Sequence, residues 1–176
     1  MTSSSRIILV TGGARSGKSA LAERLAGQFD MPRIYIATAT AGDKEMRERI
    51  ARHREIRGSG WRTVEESLDL AGALRRTDGQ GVRLVDCLTL WLSNSIRGDD
   101  FAAETGPLCA TLAAQKSPVV LVTNELGLGI VPENALARRF RDAHGLMNQA
   151  VAATADQVWM SVSGLPLRLK PERGTP

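Results

Sequence analysis

A glycine-rich segment near the amino terminus constrains the fold of this chain more than any other feature. Residues 12–19 read G-x-x-x-x-G-K-S, follow the β-branched run at 6–11 and precede a helical pattern over 18–29. In a strand–loop–helix unit, glycines let successive backbone N–H groups surround an anion, and the helix points its amino end at it. Lys18 adds a point charge for the phosphates, and the Ser19 hydroxyl can bind Mg²⁺. The segment therefore predicts a nucleotide-binding P-loop.

Short apolar runs alternate with helical patterns along the rest of the chain. Further strands are predicted at 33–37, 61–65, 83–87, 119–123 and 157–162, with a small edge strand at 167–170. Helices are predicted at 43–57, 68–76, 88–96, 99–115 and 133–154, the last two with breaks near Pro107 and Gly145. Strands separated by helices favour βαβ units. The expected fold is therefore α/β, with a mostly parallel central sheet flanked by helices and ligands at the carboxyl ends of the strands.

Length and composition limit the class of protein. A chain of 176 residues with 43% hydrophobic and 24% charged residues is expected to form one globular domain over 1–176, with flexible ends at 1–5 and 171–176. It contains no run of about 20 apolar residues, and the amino-terminal stretch lacks a basic region, so neither membrane insertion nor a signal peptide is expected. Cys87 and Cys109 are too few for a disulfide framework or a structural zinc site, which favours a reducing cytoplasm.

The charge balance is mildly basic. Lys plus Arg is 23 and Asp plus Glu is 19, giving a net charge of +4, while aromatic residues are only 4%. Nucleic-acid binding normally requires a concentrated basic surface with groove-reading or stacking elements. We therefore expect a small anionic substrate and no nucleic-acid partner. The tryptophans at 61, 91 and 159 are interpreted as core or interface residues.

Two carboxylates follow predicted strands, where a P-loop requires a partner for its metal ion. Asp86 ends one strand and is predicted to act on the Mg²⁺ side of the site, although an aspartate there could also cap the next helix. Glu125 follows a second strand. For Glu125 two interpretations stay open, namely a metal-side or substrate-polarising carboxylate and a residue of the turn.

One of the two histidines has unusual neighbours. His53 continues the apolar stripe of the predicted 43–57 helix but is flanked by Arg52, Arg54 and Arg57. Neighbouring positive charge disfavours protonation, and a neutral imidazole among phosphate-binding arginines suits nucleophilic attack on phosphorus. A core or capping histidine on a solvated, charged helix is the alternative. His144 has no such setting and is predicted to be structural.

Several segments together resemble one enzyme family. These are GGARSGKS, IATA, RIARHR, WRTVEE and the stretch from VTNELGLGIVPEN to MSVSG, which cover nearly all of the chain from Arg6 to Lys170. They resemble the bifunctional adenosylcobinamide kinase / adenosylcobinamide-phosphate guanylyltransferase of cobalamin biosynthesis. The P-loop alone is not specific to this family, whereas VTNE-x-G-x-GIVPE and RIARHR are.

The resemblance implies a RecA-like P-loop NTPase fold and two reactions. In the first, ATP or GTP phosphorylates the aminopropanol hydroxyl of adenosylcobinamide. In the second, GTP guanylylates a histidine with release of pyrophosphate, and the GMP passes to adenosylcobinamide phosphate to give adenosylcobinamide-GDP. The resemblance also implies a homo-oligomer, with a trimer as the expected form.

The resemblance assigns the family's functional residues to positions of this chain. His53 matches the guanylylated nucleophile, and Glu65 and Asp86 match two nucleotide-site carboxylates. Ser19 and Asp86 keep the Mg²⁺ roles predicted from the P-loop chemistry. The residues expected to contact nucleotide are Gly12, Gly13, Ala14, Arg15, Ser16, Gly17, Lys18, Ser19, Ala37, Thr38, Ala39, Arg54, Glu55, Ile56, Arg57, Glu65 and Asp86.

Two other functions remain possible from the residues alone. One is a simple P-loop small-molecule kinase that uses Lys18, Ser19 and Asp86 while His53 is structural. The other is a nucleotide-switched binding module without turnover.

Overall fold

A single mixed sheet organises the chain. The computed structural model describes residues 6–40, 42, 48, 51–52, 55, 58–96 and 103–170. The strands are β1 (Ile7–Gly12), β2 (Arg33–Ala37), β3 (Arg62–Glu65), β4 (Val82–Asp86), β5 (Val119–Val122), β6 (Gln157–Val162) and β7 (Leu165–Lys170). Their order across the sheet is β3-β2-β4-β5-β1-β6-β7. All neighbours are parallel except β7, which is antiparallel to β6. The fold is the α/β architecture expected from the alternation of strands and helices.

Helices cover both faces of this sheet. The described helices are α1 (Lys18–Ala26), α2 (Leu70–Thr77), α3 (Leu88–Ser95), α4 (Thr105–Ala113) and α5 (Ala135–Thr154). Leu21 and Leu25 of α1 pack on one face with alternate residues of β1, β4 and β5. The apolar residues of α2 to α5 pack on the other face, where Trp91 is buried. Because central strands are covered on both faces, they read as continuous apolar runs. Within the described residues no helix has the length and hydropathy needed to cross a bilayer.

The element boundaries differ from the predicted ones in a few places. α1 ends at Ala26 and not at residue 29, since the N–H groups of Gln28 and Phe29 donate to carbonyls three residues back and not four. α5 runs without a break through Gly145. α4 begins at Thr105, so Pro107 falls in the first turn, where a missing N–H leaves no helical hydrogen bond unmade. The edge strand β7 begins two residues earlier than predicted.

An ion pair is buried at the amino edge of the sheet, opposite the predicted site. The Arg83 side chain is fully buried and donates to Asp78 at 3.1 Å, to the Gly81 carbonyl and to Gln115. Desolvation opposes ionisation of Asp78, but N–H donors of Ser117 and Lys116 and the Arg83 charge together lower the pKa of this carboxyl. This cluster holds the loop at Asp78 against the start of β5, away from the strands' carboxyl ends.

Replacing Arg83 with methionine is expected to lower the free energy of unfolding by about 3 kcal/mol, because it leaves the partners of a buried charge without their donor. Chemical denaturation of both proteins measures this difference. Arg76 is the matched control, since its pairs with Glu66 and Asp69 are 58% exposed on the arginine side. Arg76→Met should lower the free energy of unfolding by less than about 1 kcal/mol. Equal losses in the two variants would contradict a special role for the buried pair.

Candidate active site

The loop after β1 has the backbone geometry of an anion cradle. Arg15 and Gly17 adopt left-handed conformations, with φ of 54° and 92°. Within the described part of the chain, the N–H groups of Ala14, Arg15 and Gly17 donate no hydrogen bond. Lys18 reaches back over the loop, where its Nζ donates to the Gly13 carbonyl at 3.0 Å. A ring of free N–H donors with an ammonium beside it suits the oxygens of a polyphosphate.

The amino end of α1 faces this loop without a cap from its own chain. Gly17 occupies the N-cap, provides no side-chain acceptor, and no acidic residue lies in the first turn. Other helices are capped differently: Asp69 accepts from Gly72 at the start of α2, and Asn134 accepts from Ala137 at the start of α5. The amino end of α1 therefore has no side-chain cap at Gly17, as is typical of helix amino ends at phosphate sites. The loop fits a bound nucleotide phosphate.

The hairpin between β6 and β7 holds the loop from outside. The Ser16 carbonyl accepts from the Ser161 hydroxyl at 2.6 Å and from the Gly164 N–H at 2.8 Å. A Cβ on Gly12 would lie 2.6 Å from the Ser161 carbonyl, so only glycine fits there. The sequence predicted strands at 157–162 and 167–170 but gave no signal that the connection between them contacts the P-loop. Ser161 and Gly164 are the supporting residues that the sequence analysis missed.

The register of the sheet aligns the predicted carboxylates along one edge. Ala37 pairs with both Glu65 and Asp86, Asp86 pairs with Val122, and Val122 pairs with Val10, two residues before the P-loop. At about 4.8 Å per strand, Asp86 lies roughly 10 Å from the P-loop strand and Glu65 roughly 19 Å from it. Asp86 is thus within reach of a metal ion beside the phosphates, whereas Glu65 can only meet a more distant part of a ligand.

Asp86 lies on the same face of the sheet as α1. Alternate residues of β4 point to opposite faces, and Leu84 packs with Leu21 and Leu25 of α1. The Tyr35 hydroxyl, on that same face, donates to Asp86 Oδ2 at 3.1 Å. Asp86 therefore faces the side of the sheet on which α1 carries Lys18 and Ser19, so a carboxylate and a hydroxyl, which are hard oxygen ligands, share one side of the site. This donor set is the one that Mg²⁺ prefers.

Thr38 fixes the turn that follows Asp86. Its hydroxyl donates to the Cys87 carbonyl and accepts from the Cys87 N–H, both at 2.7 Å. Its N–H donates to the Asp86 carbonyl, and its own carbonyl accepts from Asn94 at 2.8 Å. The residue is fully buried. All the polar groups of Thr38 are therefore engaged within the protein, and they join β2, β4 and α3 at the site.

Cys87 is next to Asp86 but is not a candidate nucleophile. Burial raises the pKa of its thiol to about 11, and the Asp86 charge adds to the effect. We expect thiol reagents at pH 8 to modify Cys109, which is half-buried, at least tenfold faster than Cys87, because the thiolate is the reactive form. Mass spectrometry of the partly labelled native protein measures the two rates, and unfolded protein is the control. Faster labelling of Cys87 would contradict its burial.

Asn124 and Glu125 extend from β5 beside the P-loop. The Glu125 N–H donates to the Gly12 carbonyl at 3.1 Å. The Glu125 carboxylate accepts from the N–H of Gly127 at 2.8 Å, as a residue of the turn does. Both interpretations of Glu125 therefore have a basis: the residue closes a turn, and it does so next to the nucleotide loop.

The structure brings together most of the predicted nucleotide residues but does not describe all of them. The P-loop, Ala37, Thr38, Ala39, Glu65 and Asp86 all lie at the carboxyl edge. Arg52 and Glu55 are helical and exposed. The predictions for His53, Arg54, Ile56 and Arg57 lie outside the described residues. His144 is buried, as predicted for a structural histidine.

The fold and the loop geometry define a P-loop NTPase of the RecA-like type. Solved structures with this fold include the flagellar accessory protein FlaH of Methanocaldococcus jannaschii, with a TM-score of 0.54 and 14% identity over 95% of this chain and 79% of that one. The RadB recombinase matches with a TM-score of 0.51 and 17% identity over 89% of this chain and 74% of that one. At such low identity these likenesses describe the fold alone.

Sequence comparison identifies the family within this class. Residues 8–169 match the model of the CobU family, described as cobinamide kinase / cobinamide phosphate guanyltransferase, and the chain belongs to that family. The bifunctional adenosylcobalamin biosynthesis protein CobP of Pseudomonas aeruginosa is 49% identical over 93% of this chain and 97% of its own length. The corresponding protein CobU of Salmonella typhimurium is 43% identical over 93% and 99%. The chain is thus a nucleotide-using enzyme with kinase and guanylyltransferase activities.

Proposed function

We propose that the nucleotide of the kinase step lies along the carboxyl edge, with its phosphates in the loop Gly12–Ser19 and Mg²⁺ held by Ser19 and Asp86. The observation that carries this proposal is the pairing of an uncapped helix amino end with a carboxylate on the same face of the sheet. A bound Mg²⁺ would neutralise charge on the transferred phosphoryl group. Lys18 and the loop N–H groups orient the phosphates of ATP or GTP toward the aminopropanol hydroxyl of adenosylcobinamide.

The other nucleotide residues take different parts in this proposal. Thr38 acts by positioning the turn at Asp86, because its polar groups are engaged. Ala37 and Ala39 line the edge beside it. Glu65, at the far end of the row, would meet the nucleoside end of the ligand and not its phosphates. Arg54, Glu55, Ile56 and Arg57 are proposed contacts on the strength of the family resemblance.

For the second reaction we propose His53 as the nucleophile. A ring nitrogen attacks the α-phosphorus of GTP, a phosphorus–nitrogen bond forms, and pyrophosphate leaves. A phosphate oxygen of adenosylcobinamide phosphate then attacks the same phosphorus, and the imidazole leaves as the protonated, better leaving group. The product is adenosylcobinamide-GDP. Arg54 and Arg57 would stabilise charge on the α-phosphate during both transfers.

Labelled GTP tests this mechanism. With Mg²⁺ and GTP labelled on the α-phosphate, the denatured protein should retain label that is stable in alkali and labile in acid, as a phosphoramidate is. GTP labelled on the γ-phosphate should leave no label, because that phosphate departs with pyrophosphate. Adding adenosylcobinamide phosphate should move the α-label to the corrinoid. A simple P-loop kinase, the alternative function, would give no α-label on the protein.

We further propose that the enzyme works as a homo-oligomer, with a trimer as the expected form, in the reducing cytoplasm. The supporting feature is β7, an edge strand whose leucines at 165, 167 and 169 are each more than half exposed. Exposed apolar edge strands favour pairing with another chain. Sedimentation equilibrium should give the mass of a trimer, and Leu167→Glu should lower it. A monomer mass for the wild-type protein would contradict the proposal.

A further inference from the structure

Five polar side chains form a cluster between α3, β5 and α5. We call Thr89, Thr123, Asn124, His144 and Asn148 the His144 network. His144 Nε2 lies 2.9 Å from Thr89 Oγ1 and 3.2 Å from Thr123 Oγ1. Thr123 donates to Asn148 Oδ1 at 2.8 Å. Asn124 donates to Thr89 Oγ1 twice, from its backbone and its side-chain nitrogen, both at 3.0 Å. Asn148 donates to the Asn124 carbonyl at 3.1 Å, which closes the network.

The imidazole at the centre of this network is buried and neutral. His144 is 1% exposed. Burial lowers its pKa, and the Glu125 charge opposes this only in part. Because Thr89 Oγ1 accepts both hydrogen bonds from Asn124, its own hydroxyl donates to His144 Nε2, and a second ring proton at Nε2 would meet that donor. The ring therefore acts as a fixed hydrogen-bonding group with two threonine hydroxyls on one nitrogen.

The network spans the two strand ends that border the nucleotide site. Thr89 lies in the first turn of α3, three residues after Asp86. Asn124 follows β5 and precedes Glu125, whose N–H donates to the Gly12 carbonyl of the P-loop. Asp86 and Val122 are register partners, so these two segments leave the sheet side by side. His144 thus contacts the segment after each strand without contacting Asp86 or the P-loop itself.

We propose that His144 is a positioning residue of the nucleotide site. Through Thr89 and Thr123 it fixes the Asn124–Glu125 segment relative to Asp86 and the P-loop. This inference rests on the proposed placement of the nucleotide along the carboxyl edge. It differs from the simpler interpretation, in which His144 is a core histidine that contributes only to stability. Because misplacing a positioning group by about 1 Å can slow a reaction roughly a hundredfold, the two interpretations predict different kinetics.

Two substitutions of His144 separate these interpretations. His144→Leu fills the space without a hydrogen-bonding group, while His144→Gln carries an amide out to the position of Nε2. We expect His144→Leu to reduce kcat of the kinase step at least about tenfold below its unfolding temperature, and His144→Gln to restore it to within about threefold of wild type. Met147→Leu is the matched control, because Met147 is also 1% exposed and on α5 but packs in the apolar core. It should leave kcat unchanged.

Binding provides a second readout that does not depend on turnover. In titrations with a fluorescent nucleotide, Mg²⁺ should lower the nucleotide Kd of wild type and of His144→Gln. The factor by which it lowers Kd should be several-fold smaller in His144→Leu. A His144→Leu protein with wild-type kcat and wild-type Mg²⁺ dependence, even if less stable, would overturn the proposal. Equal losses in the Leu and Gln variants would overturn it as well.

A further variant tests the proposal even if His144→Leu does not fold. Thr123→Val keeps the shape of the side chain and removes the hydroxyl that contacts His144 and Asn148, so it should show the same kinetic loss. Wild-type kinetics of Thr123→Val would contradict the proposal. Lys18→Ala tests the nucleotide site independently: if it binds Mg²⁺-nucleotide as wild type does, the site placement itself fails, whatever the result at His144.

Discussion

Lys18→Ala is expected to abolish the kinase activity, lowering kcat/KM by at least about 10²–10³-fold. Lys18 lies where β1 leads into α1, and its ammonium is folded over the loop at 3.0 Å from the Gly13 carbonyl. In the proposed complex it moves its charge from the Gly13 carbonyl to the phosphates. The loss should appear as a lower kcat and a higher nucleotide Kd, because ground state and transition state both carry phosphate charge.

The control for Lys18→Ala removes the same charge elsewhere. Lys116 is exposed at the amino edge of the sheet, where its backbone N–H donates to Asp78. Lys116→Ala should therefore leave both reactions within about twofold of wild type, as expected for an exposed surface residue. Initial rates of corrinoid phosphorylation with ATP and with GTP measure the effect. If Lys18→Ala retained more than a tenth of the wild-type activity, the P-loop assignment would be wrong.

His53→Ala is expected to separate the two activities. Guanylyl transfer should fall by roughly 10⁶, to background, because removal of a covalent nucleophile leaves no route through the protein-bound intermediate. Phosphorylation of adenosylcobinamide should continue within about threefold of wild type, since the kinase step uses the P-loop and Asp86. The two reactions are assayed on the same sample, so the kinase rate controls for folding.

The covalent label provides the decisive comparison for His53. Wild-type protein incubated with GTP labelled on the α-phosphate should carry about one GMP per active site, and His53→Ala should carry none. Equal labelling of the two proteins would move the nucleophile to another residue. Loss of both reactions in His53→Ala would favour a single site in which the histidine also supports the kinase step.

The parts of the site that sequence predicted are those encoded in a few consecutive residues. The P-loop pattern joins strand, loop and helix within fourteen positions, and Asp86 ends an unmistakable buried strand. Both are where the sequence places them, because parallel strands bring their carboxyl ends to one edge. The sequence could not predict the distance from Glu65 to the P-loop, since that distance depends on the strand order β3-β2-β4-β5-β1.

Contacts between distant parts of the chain were missed for the same reason. Thr38 stays a predicted nucleotide contact, but the sequence did not show that its hydroxyl binds the Cys87 backbone, 49 positions away. His144 was predicted to be structural, and its burial agrees with that, but its neighbours in sequence did not indicate its hydrogen-bond partners. Its partners Thr89 and Thr123 are 55 and 21 residues away. Such pairings are set by strand order and helix packing, which single-sequence patterns do not specify.

The bracing of the P-loop by the β6–β7 hairpin has a consequence during synthesis of the chain. The Ser16 carbonyl depends on a hydroxyl 145 positions later, and β1 needs β6 as its neighbour on one side. A ribosome adds roughly 5–20 residues per second, so the loop is made many seconds before its support. The two hydrogen bonds that hold the Ser16 carbonyl therefore form only after the last hairpin has emerged from the ribosome.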